Sequence, residues 1–290
     1  MEMFSLFKTK KVEPVQQAPK KKQRAFKGAR SGRLTAWLFS GFTKINADLK
    51  QDLPKLITRC RDLCKNNEIM RSHLNNFEKS IIGNKGFKLQ SLVKDINGIL
   101  DEATNRELEE AWYDFGKRSN GYLTKDGLMG DLDLDALILR TLAIDGEVFV
   151  RVDLDAKNPY GISFEVLDSL QIDWEKNQQA TAYQNAIIAG VEIDKVGKPV
   201  KYWFKPGDTY NYQVGKPEAI PAEEIIHIYK HEFVGQVRGF PELCASIDSL
   251  KQLDDYAIAE LFAAKVSACQ NVFYERNGNA QAGDWLEQNE

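Results

Sequence analysis

Hydrophobic and polar positions follow two different periods along this chain, and the change falls near residue 143. From 34 to 142 the apolar residues recur every three or four places, the step of an amphipathic helix. Leu56, Ile57, Cys60, Leu63, Cys64 and Ile69 keep that step. Asp52-Leu53-Pro54 predicts a helix start, with Asp52 near the N-cap and Pro54 in the first turn, where its missing N–H is harmless. Asn66-Asn67 suits a helix end or interruption, and Gly83 and Gly86 suit turns with positive φ. An acidic helix is expected around Glu107 to Phe115, burying Trp112, Tyr113 and Phe115. Another begins near Asp131 or Asp133, with Leu134, Leu137, Ile138 and Leu142 facing inward.

From Ala143 the period drops to two. Asp145-Gly146 predicts a turn, and Glu147 to Val152 an alternating strand. Phe164, Val166 and Leu167 form a second strand. Ile187 to Asp194 and Lys198 to Phe204 form two strands of a hairpin about the turn at Gly197. Ile225, Ile226, Ile228 and Tyr229 make a further β-branched and aromatic run. Gly239-Phe240-Pro241 then breaks the pattern. Leu243, Ile247, Leu250, Ala257, Leu261, Ala264 and Ala268 resume steps of three or four, predicting a long helix whose alanine face allows close approach of another helix. Val272 to Glu275 reads as a strand. Helices and strands in separate regions make the fold class α+β.

Composition is that of a globular protein, 43% hydrophobic and 28% charged over 290 residues. Such a length can bury a sizeable core. No apolar run approaches the roughly 18 residues that span a bilayer, so no membrane is expected. The first eleven residues lack the apolar centre of a signal peptide, which predicts a cytoplasmic protein. Charge is unevenly spread. Residues 1–33 carry ten cations against two anions, a net +8, which leaves −11 for the rest of the −3 total. They have no apolar period and read as a mobile arm. Lys20, Lys21, Lys22, Arg24, Lys27, Arg30 and Arg33 are its candidate contacts to DNA phosphates or to an acidic partner; a solvated tail without function is the plainer alternative.

Candidate catalytic chemistry is thin. Cys60 and Cys64 lie one helical turn apart with His73 beyond, but a zinc site needs a fourth ligand and a tighter pattern; the four cysteines read as free thiols. Asp131, Asp133 and Asp135 invite a metal, yet Ala136 and Leu142 stand where a calcium loop needs glycine and glutamate. A helix N-terminus explains them better. Asp145 and Glu147 could mimic a nuclease pair, but the turn accounts for both. His227, on a strand, more often packs than ligates. No catalytic residue, cofactor or metal is expected.

Several blocks, in order, resemble the lambda-type phage portal family. Arg61-Asp62-Leu63, Lys65-Asn66-Asn67 and Ile82-Gly83 with Gly86 form the first, and Trp112 with Asp114 another. Leu139, Ala143 and Asp145-Gly146-Glu147 follow. Then come Gly190-Val191-Glu192, Asp194, Gly197, Pro199 and Tyr202, the last one place earlier than the family pattern. Ile225-Ile226-His227, Gln236-Val237-Arg238-Gly239-Phe240-Pro241, Asp255-Tyr256 and Ala263-Ala264 close the series. The blocks cover residues 56–270.

The resemblance implies a structural protein, not an enzyme: one subunit of a homo-dodecameric ring at a single capsid vertex, through which DNA is packaged and ejected. Residues 34–238 would form the first part of a portal-type wing (helical 34–142, β-rich 143–238). Residues 239–270 would form the first stem helix, with Leu243, Ile247, Leu250, Ala257, Leu261 and Ala264 packing the stem and ring, and residues 271–290 the start of a clip. The rest of stem, wing and crown would lie in sequence beyond this chain. The implied partners are further copies of itself, terminase, head–tail adaptor proteins, capsid and scaffold proteins, and duplex DNA passing without sequence preference. The implied location is the virion, and the host cytoplasm during assembly. An acidic body suits that role, because a basic channel would hold duplex DNA too tightly to slide. A structural or adaptor protein unrelated to phage, and a metal-dependent nucleic-acid enzyme, are the competing classes.

Overall fold

The first described helix, α1 (Ile45–Asn66), buries one stripe: Leu49, Leu53, Ile57, Cys60, Leu63 and Cys64. The structure is a computed structural model, which describes residues 44–205 and 216–269. All of them fall in one unit that begins at Lys44. The basic arm, the first residues of the expected helical region and the strand expected at Val272 to Glu275 lie outside the described residues. Pro54 does not open α1, as its position predicts, but sits inside it. The apolar stripe runs unbroken from Leu49 through Leu53 to Ile57, and packing along it outweighs the loss of one helical hydrogen bond at the proline.

Asn67 ends α1 and starts α2 (Glu68–Ile81). Its N–H reaches Leu63 O at 2.8 Å, and its side chain accepts from Met70 N–H at 2.9 Å. Gly83 and Gly86 both take φ +63°. In α3 (Glu102–Gly116) only Phe115 of the three expected aromatics is buried; Trp112 and Tyr113 are exposed. At the start of α4 (Asp131–Asp145) the cap is Gly130 rather than an aspartate. The Asp133 carboxylate reaches back to accept from Gly130 N–H at 3.1 Å. Asp131 lies in the first turn, where it meets the positive end of the dipole.

Two antiparallel sheets follow. One has the order β2–β1–β7, from β1 (Glu147–Asp153), β2 (Ser163–Leu167) and β7 (Ile225–Tyr229). The other runs β3–β4–β5–β6, from β3 (Ala186–Ile188), β4 (Val191–Ile193), β5 (Pro199–Phe204) and β6 (Glu218–Pro221). The run from Ile187 to Asp194 is therefore not one strand. Ala189 (φ +46°) and Gly190 (φ +84°) fold it into a two-residue turn, the left-handed geometry that tight hairpins favour. The first four residues of β1 are all buried instead of alternating, because both faces are covered. Phe149 meets Tyr202 and Phe204 edge-on, at 5.8 and 5.5 Å, in a core shared with Ile172, Val191, Ile220, Ile225 and Val237. A second core joins Leu49, Leu53 and Ile57 to Leu170 and Phe240. The long helix α5 (Ile247–Cys269) follows a 3-10 turn at Glu242–Ser246 and has no buried residue. No described helix is long and apolar enough to cross a membrane.

The thiols divide sharply by this packing. Burial, then the neighbouring Cys64, Cys244 and Asp145, push Cys60 up to about 12, so almost no thiolate forms at neutral pH. Cys269 is exposed. Ellman's reagent at mildly alkaline pH should label Cys269 promptly and Cys60 only after denaturation. Equal labelling rates in the native protein would show that the α1 core is open.

Candidate functional site

The sequence blocks converge on the corner between α4 and β1. Asp145, Gly146 and Glu147 are consecutive: Asp145 is held by α1, and Gly146 and Glu147 by the segment 238–241. Asp145 accepts from Arg61 of α1, at 2.8 Å to Nε and 2.5 Å to Nη2. The same guanidinium reaches Asp168 at 2.7 and 3.1 Å. Its bond to Asp145 outweighs burial and raises the Arg61 pKa, while for Asp168 the Arg61 charge overcomes burial and lowers the carboxyl. One arginine thus ties α1 to the end of α4 and to the loop after β2.

Glu147 is the centre. Its side chain is fully buried, and Arg238, also buried, lies against it. Arg238 Nε donates to both carboxylate oxygens at 2.9 Å, and Nη2 donates to Oε1. Nη1 donates to Ala189 O at 2.6 Å, at the hairpin turn. Gly239 N–H donates to Glu147 Oε2 at 2.9 Å. His227 Nε2 lies 3.2 Å from the same oxygen, and its Nδ1 lies 3.4 Å from Tyr202 Oη. The ring stacks on Phe149 at 4.2 Å. Burial works to raise the Glu147 carboxyl, but Arg238 and His227 overcome it and hold the group at about 2. Burial lowers His227 despite the Glu147 bond, so the ring is neutral at pH 7. A proton on Nε2 then satisfies Glu147, and Nδ1 accepts from Tyr202, whose phenol burial keeps protonated.

Gly146 and Gly239 complete the corner. Gly146 takes φ +83°, and a Cβ there would lie 1.9 Å from the Phe240 carbonyl carbon. A Cβ on Gly239 would lie 2.1 Å from Gly146 O. Gly239 is required for this close approach and not, as its place in the break suggests, for a special backbone turn. Gln236 fastens the segment just before it. Its oxygen accepts from Glu232 and Phe233 N–H, and its nitrogen donates to Lys230 O and Arg238 O. Asn46 of α1 accepts from Val237 N–H at 3.1 Å and donates to Gly235 O at 2.8 Å. Phe240 packs on α1, and Pro241 leads into the 3-10 turn below α5.

These pairings were not foreseen: Asp145 and Glu147 read as turn residues, and Arg61 only as part of a motif block. The signal was a charge of each sign inside separate blocks, with Asp145, Glu147 and Arg238 each beside a glycine. Of the predicted packing residues, Leu243, Ile247 and Leu250 are half-buried at the foot of the long helix, whereas Ala257, Leu261 and Ala264 are exposed. A groove lined by Thr58, Asp62, Leu63, Ile247 and Lys251 runs between that foot and α1. The seven arm cations from Lys20 to Arg33 lie outside the described residues. The three aspartates at the start of α4 have separate tasks: Asp135, raised chiefly by burial, accepts from Phe87 N–H. Among the described residues no cluster of three or more His, Cys, Asp or Glu could hold a metal.

The family model for phage portal protein, lambda family, matches residues 31–289. A probable portal protein of Halomonas phage phiHAP-1 is 29% identical over 270 residues, which is 91% of this chain and 51% of that protein. The chain thus spans about half the length of that curated relative. Two solved neck structures resemble the fold. For the neck of the native GTA particle, computed with C12 symmetry, the TM-score is 0.42 at 13% identity, over 78% of this chain and 47% of the other. For the empty GTA particle, computed with C6 symmetry, it is 0.40 at 12% identity, over 78% and 48%.

Removing the central carboxylate charge tests the junction. Glu147→Gln leaves Arg238 buried beside a neutral group and should cost about 3–5 kcal/mol in urea unfolding; a loss within experimental error would remove Glu147 from the centre of the fold. The pH dependence has a definite sign. Both groups have depressed folded pKa values, so both stabilise most above their unfolded values. Stability should fall below about pH 6.5 as His227 protonates in the unfolded chain, and fall again from about pH 4.3 toward 2 as Glu147 does. His227→Gln should flatten the upper stage, and an unchanged slope there would clear His227 of the effect.

Proposed function

From its place in the lambda family of phage portal proteins, to which this chain belongs, we propose that it is a portal subunit. In this reading residues 34–238 form the first part of the wing, 239–270 the first stem helix and 271–290 the start of the clip. Copies close into a dodecameric ring at one capsid vertex, and duplex DNA passes through it during packaging and ejection. Terminase docks during filling, head–tail adaptors dock afterwards, and capsid and scaffold proteins surround the ring. The role is structural, in the virion and, during assembly, in the host cytoplasm. The observation that carries the reading is the family match across residues 31–289.

The character of α5 supports it. Tyr256, Ile258, Leu261 and Phe262 are 58 to 68% exposed, and an isolated helix gains nothing by showing such residues to water. Packing against stem helices would cover them, with Leu243, Ile247, Leu250, Ala257, Leu261 and Ala264 on the contact stripe. The Glu147–Arg238 junction also suits a part that transmits load, because it fixes the start of the helix to the sheet through buried charge and paired backbone. Gold-labelled antibodies against residues 44–205 should mark particles at one vertex only. Label on every vertex, or none on washed particles, would overturn the portal assignment.

The arm gives a separate expectation. Lys20, Lys21, Lys22, Arg24, Lys27, Arg30 and Arg33 contact phosphates without reading bases. Binding to random duplex should weaken steeply with added salt and vanish when residues 1–33 are deleted. Salt-resistant or sequence-selective binding by the remainder would point to a different class of protein.

A further inference from the structure

The outer edge of β2 is half occupied. Phe164 N–H donates to Leu123 O at 2.8 Å, and Phe164 O accepts from Lys125 N–H at 3.0 Å. This short parallel ladder stops because the chain turns away at Gly127, which takes φ +68°. Gly127 N–H closes the turn on Thr124 O at 2.9 Å, and the Thr124 hydroxyl donates to Asp126 at 2.6 Å. Strand geometry has period two, so Val166 directs its N–H and C=O the same way as Phe164. Among the described residues, neither Val166 group has a hydrogen-bond partner. Where the next residues of a neighbouring strand would lie, there is a groove of about 620 Å³.

The groove has a definite chemistry. Its floor is apolar: Met129, Leu137 and Ile144 face it together with Val166 and Leu167. Its rim holds Asp126, Asp145, Glu165 and Asp168 against Lys125 and Arg61, an excess of two negative charges. Both cations are already engaged, Lys125 with Glu165 at 2.9 Å and Arg61 with Asp145 and Asp168. Asp126 is exposed; its Oδ1 accepts from the Thr124 hydroxyl and from Leu128 N–H, and it has no cation partner among the described residues, so it is the charge of the site without an ion pair.

We propose that this edge is a docking site for one short extended segment of a partner protein, apolar at alternate positions and cationic at one end. The segment adds a strand beside β2. Its backbone takes the free N–H and C=O of Val166, its alternate side chains enter the groove over α4, and its cation meets Asp126. Added strands gain affinity from main-chain bonds and specificity from the pockets for alternate side chains. A bare edge is otherwise a hazard for uncontrolled pairing, and here it is recessed beside a short strand that limits what can reach it.

The probe is a fluorescein-labelled synthetic hexapeptide that alternates valine and threonine and carries one terminal lysine. Two twins of it are N-methylated on alternate backbone nitrogens, one on each edge. The full chain should bind the parent peptide saturably in anisotropy titrations. One twin should lose about tenfold in affinity and the other little, because only one edge faces β2. A glutamate in place of the lysine should weaken binding, and hydrogen exchange at the Val166 amide should slow when the parent peptide is present. Absence of saturable binding, equal loss in both twins, or binding without protection at Val166 would each overturn the proposal.

Discussion

The buried pair of Glu147 and Arg238 is the constraint that the rest of this structure must satisfy. Removing both charges from water costs several kcal/mol for each ion, and mutual attraction repays it only if the remaining donors and acceptors are also met. They are met here by groups from four separate segments: the Ala189 carbonyl in the hairpin turn, His227 on β7, Gly239 N–H before the long helix, and the strand β1 that carries Glu147 itself. Such a network is a weak source of net stability, but it is intolerant of alternatives. Any arrangement that moved one segment would strand a buried charge, and this single penalty fixes sheet, hairpin and helix start relative to one another.

Backbone contact makes the same corner rigid. Gly146 and Gly239 lie so close that a methyl group on either would overlap the other segment's main chain. Close approach is what allows Gly239 N–H to reach the Glu147 carboxylate, so the glycines and the ion pair require each other. Arg61 extends the arrangement outward through Asp145 and Asp168. Asn46 adds two hydrogen bonds from the other end of α1. The long helix therefore leaves a platform braced from α1, α4, β1 and β7 at once.

Much of this was legible in the sequence, at the level of elements. The change of period near Ala143 marked the passage from helices to strands, and Asn67, Gly83, Gly86 and Gly146 marked their turns correctly because those features are local. Failures came where tertiary packing overrode a local signal. Pro54 reads as a helix start, yet the stripe from Leu49 to Ile57 carries the helix through it. Ile187 to Asp194 reads as one strand, since alanine gives no warning that Ala189 takes a positive φ. Trp112 and Tyr113 read as core, but only Phe115 is buried, in a small cluster with Leu123 and Leu134. The pairings of Arg61 with Asp145 and of Glu147 with Arg238 span 84 and 91 residues. No periodicity reaches that far, although the motif blocks contained every member.

The contrast between this braced corner and the bare helix above it carries the last step. Folding within the described residues spends its strongest interactions on the segment that leads into the long helix, at Arg238 and Gly239, and buries none of the apolar side chains in the helix's second half. This helix of 23 residues has no position buried by the other described residues. Its direction is nevertheless defined, because the 3-10 turn and the Gly239 segment are locked to Glu147. In the proposed portal reading that combination, a fixed starting direction with an uncommitted apolar surface, suits an assembly of identical subunits: each copy would present its helix at the same angle, and neighbours would supply burial that the described residues do not. In that reading, the buried ion pair then acts on the assembly by setting that angle.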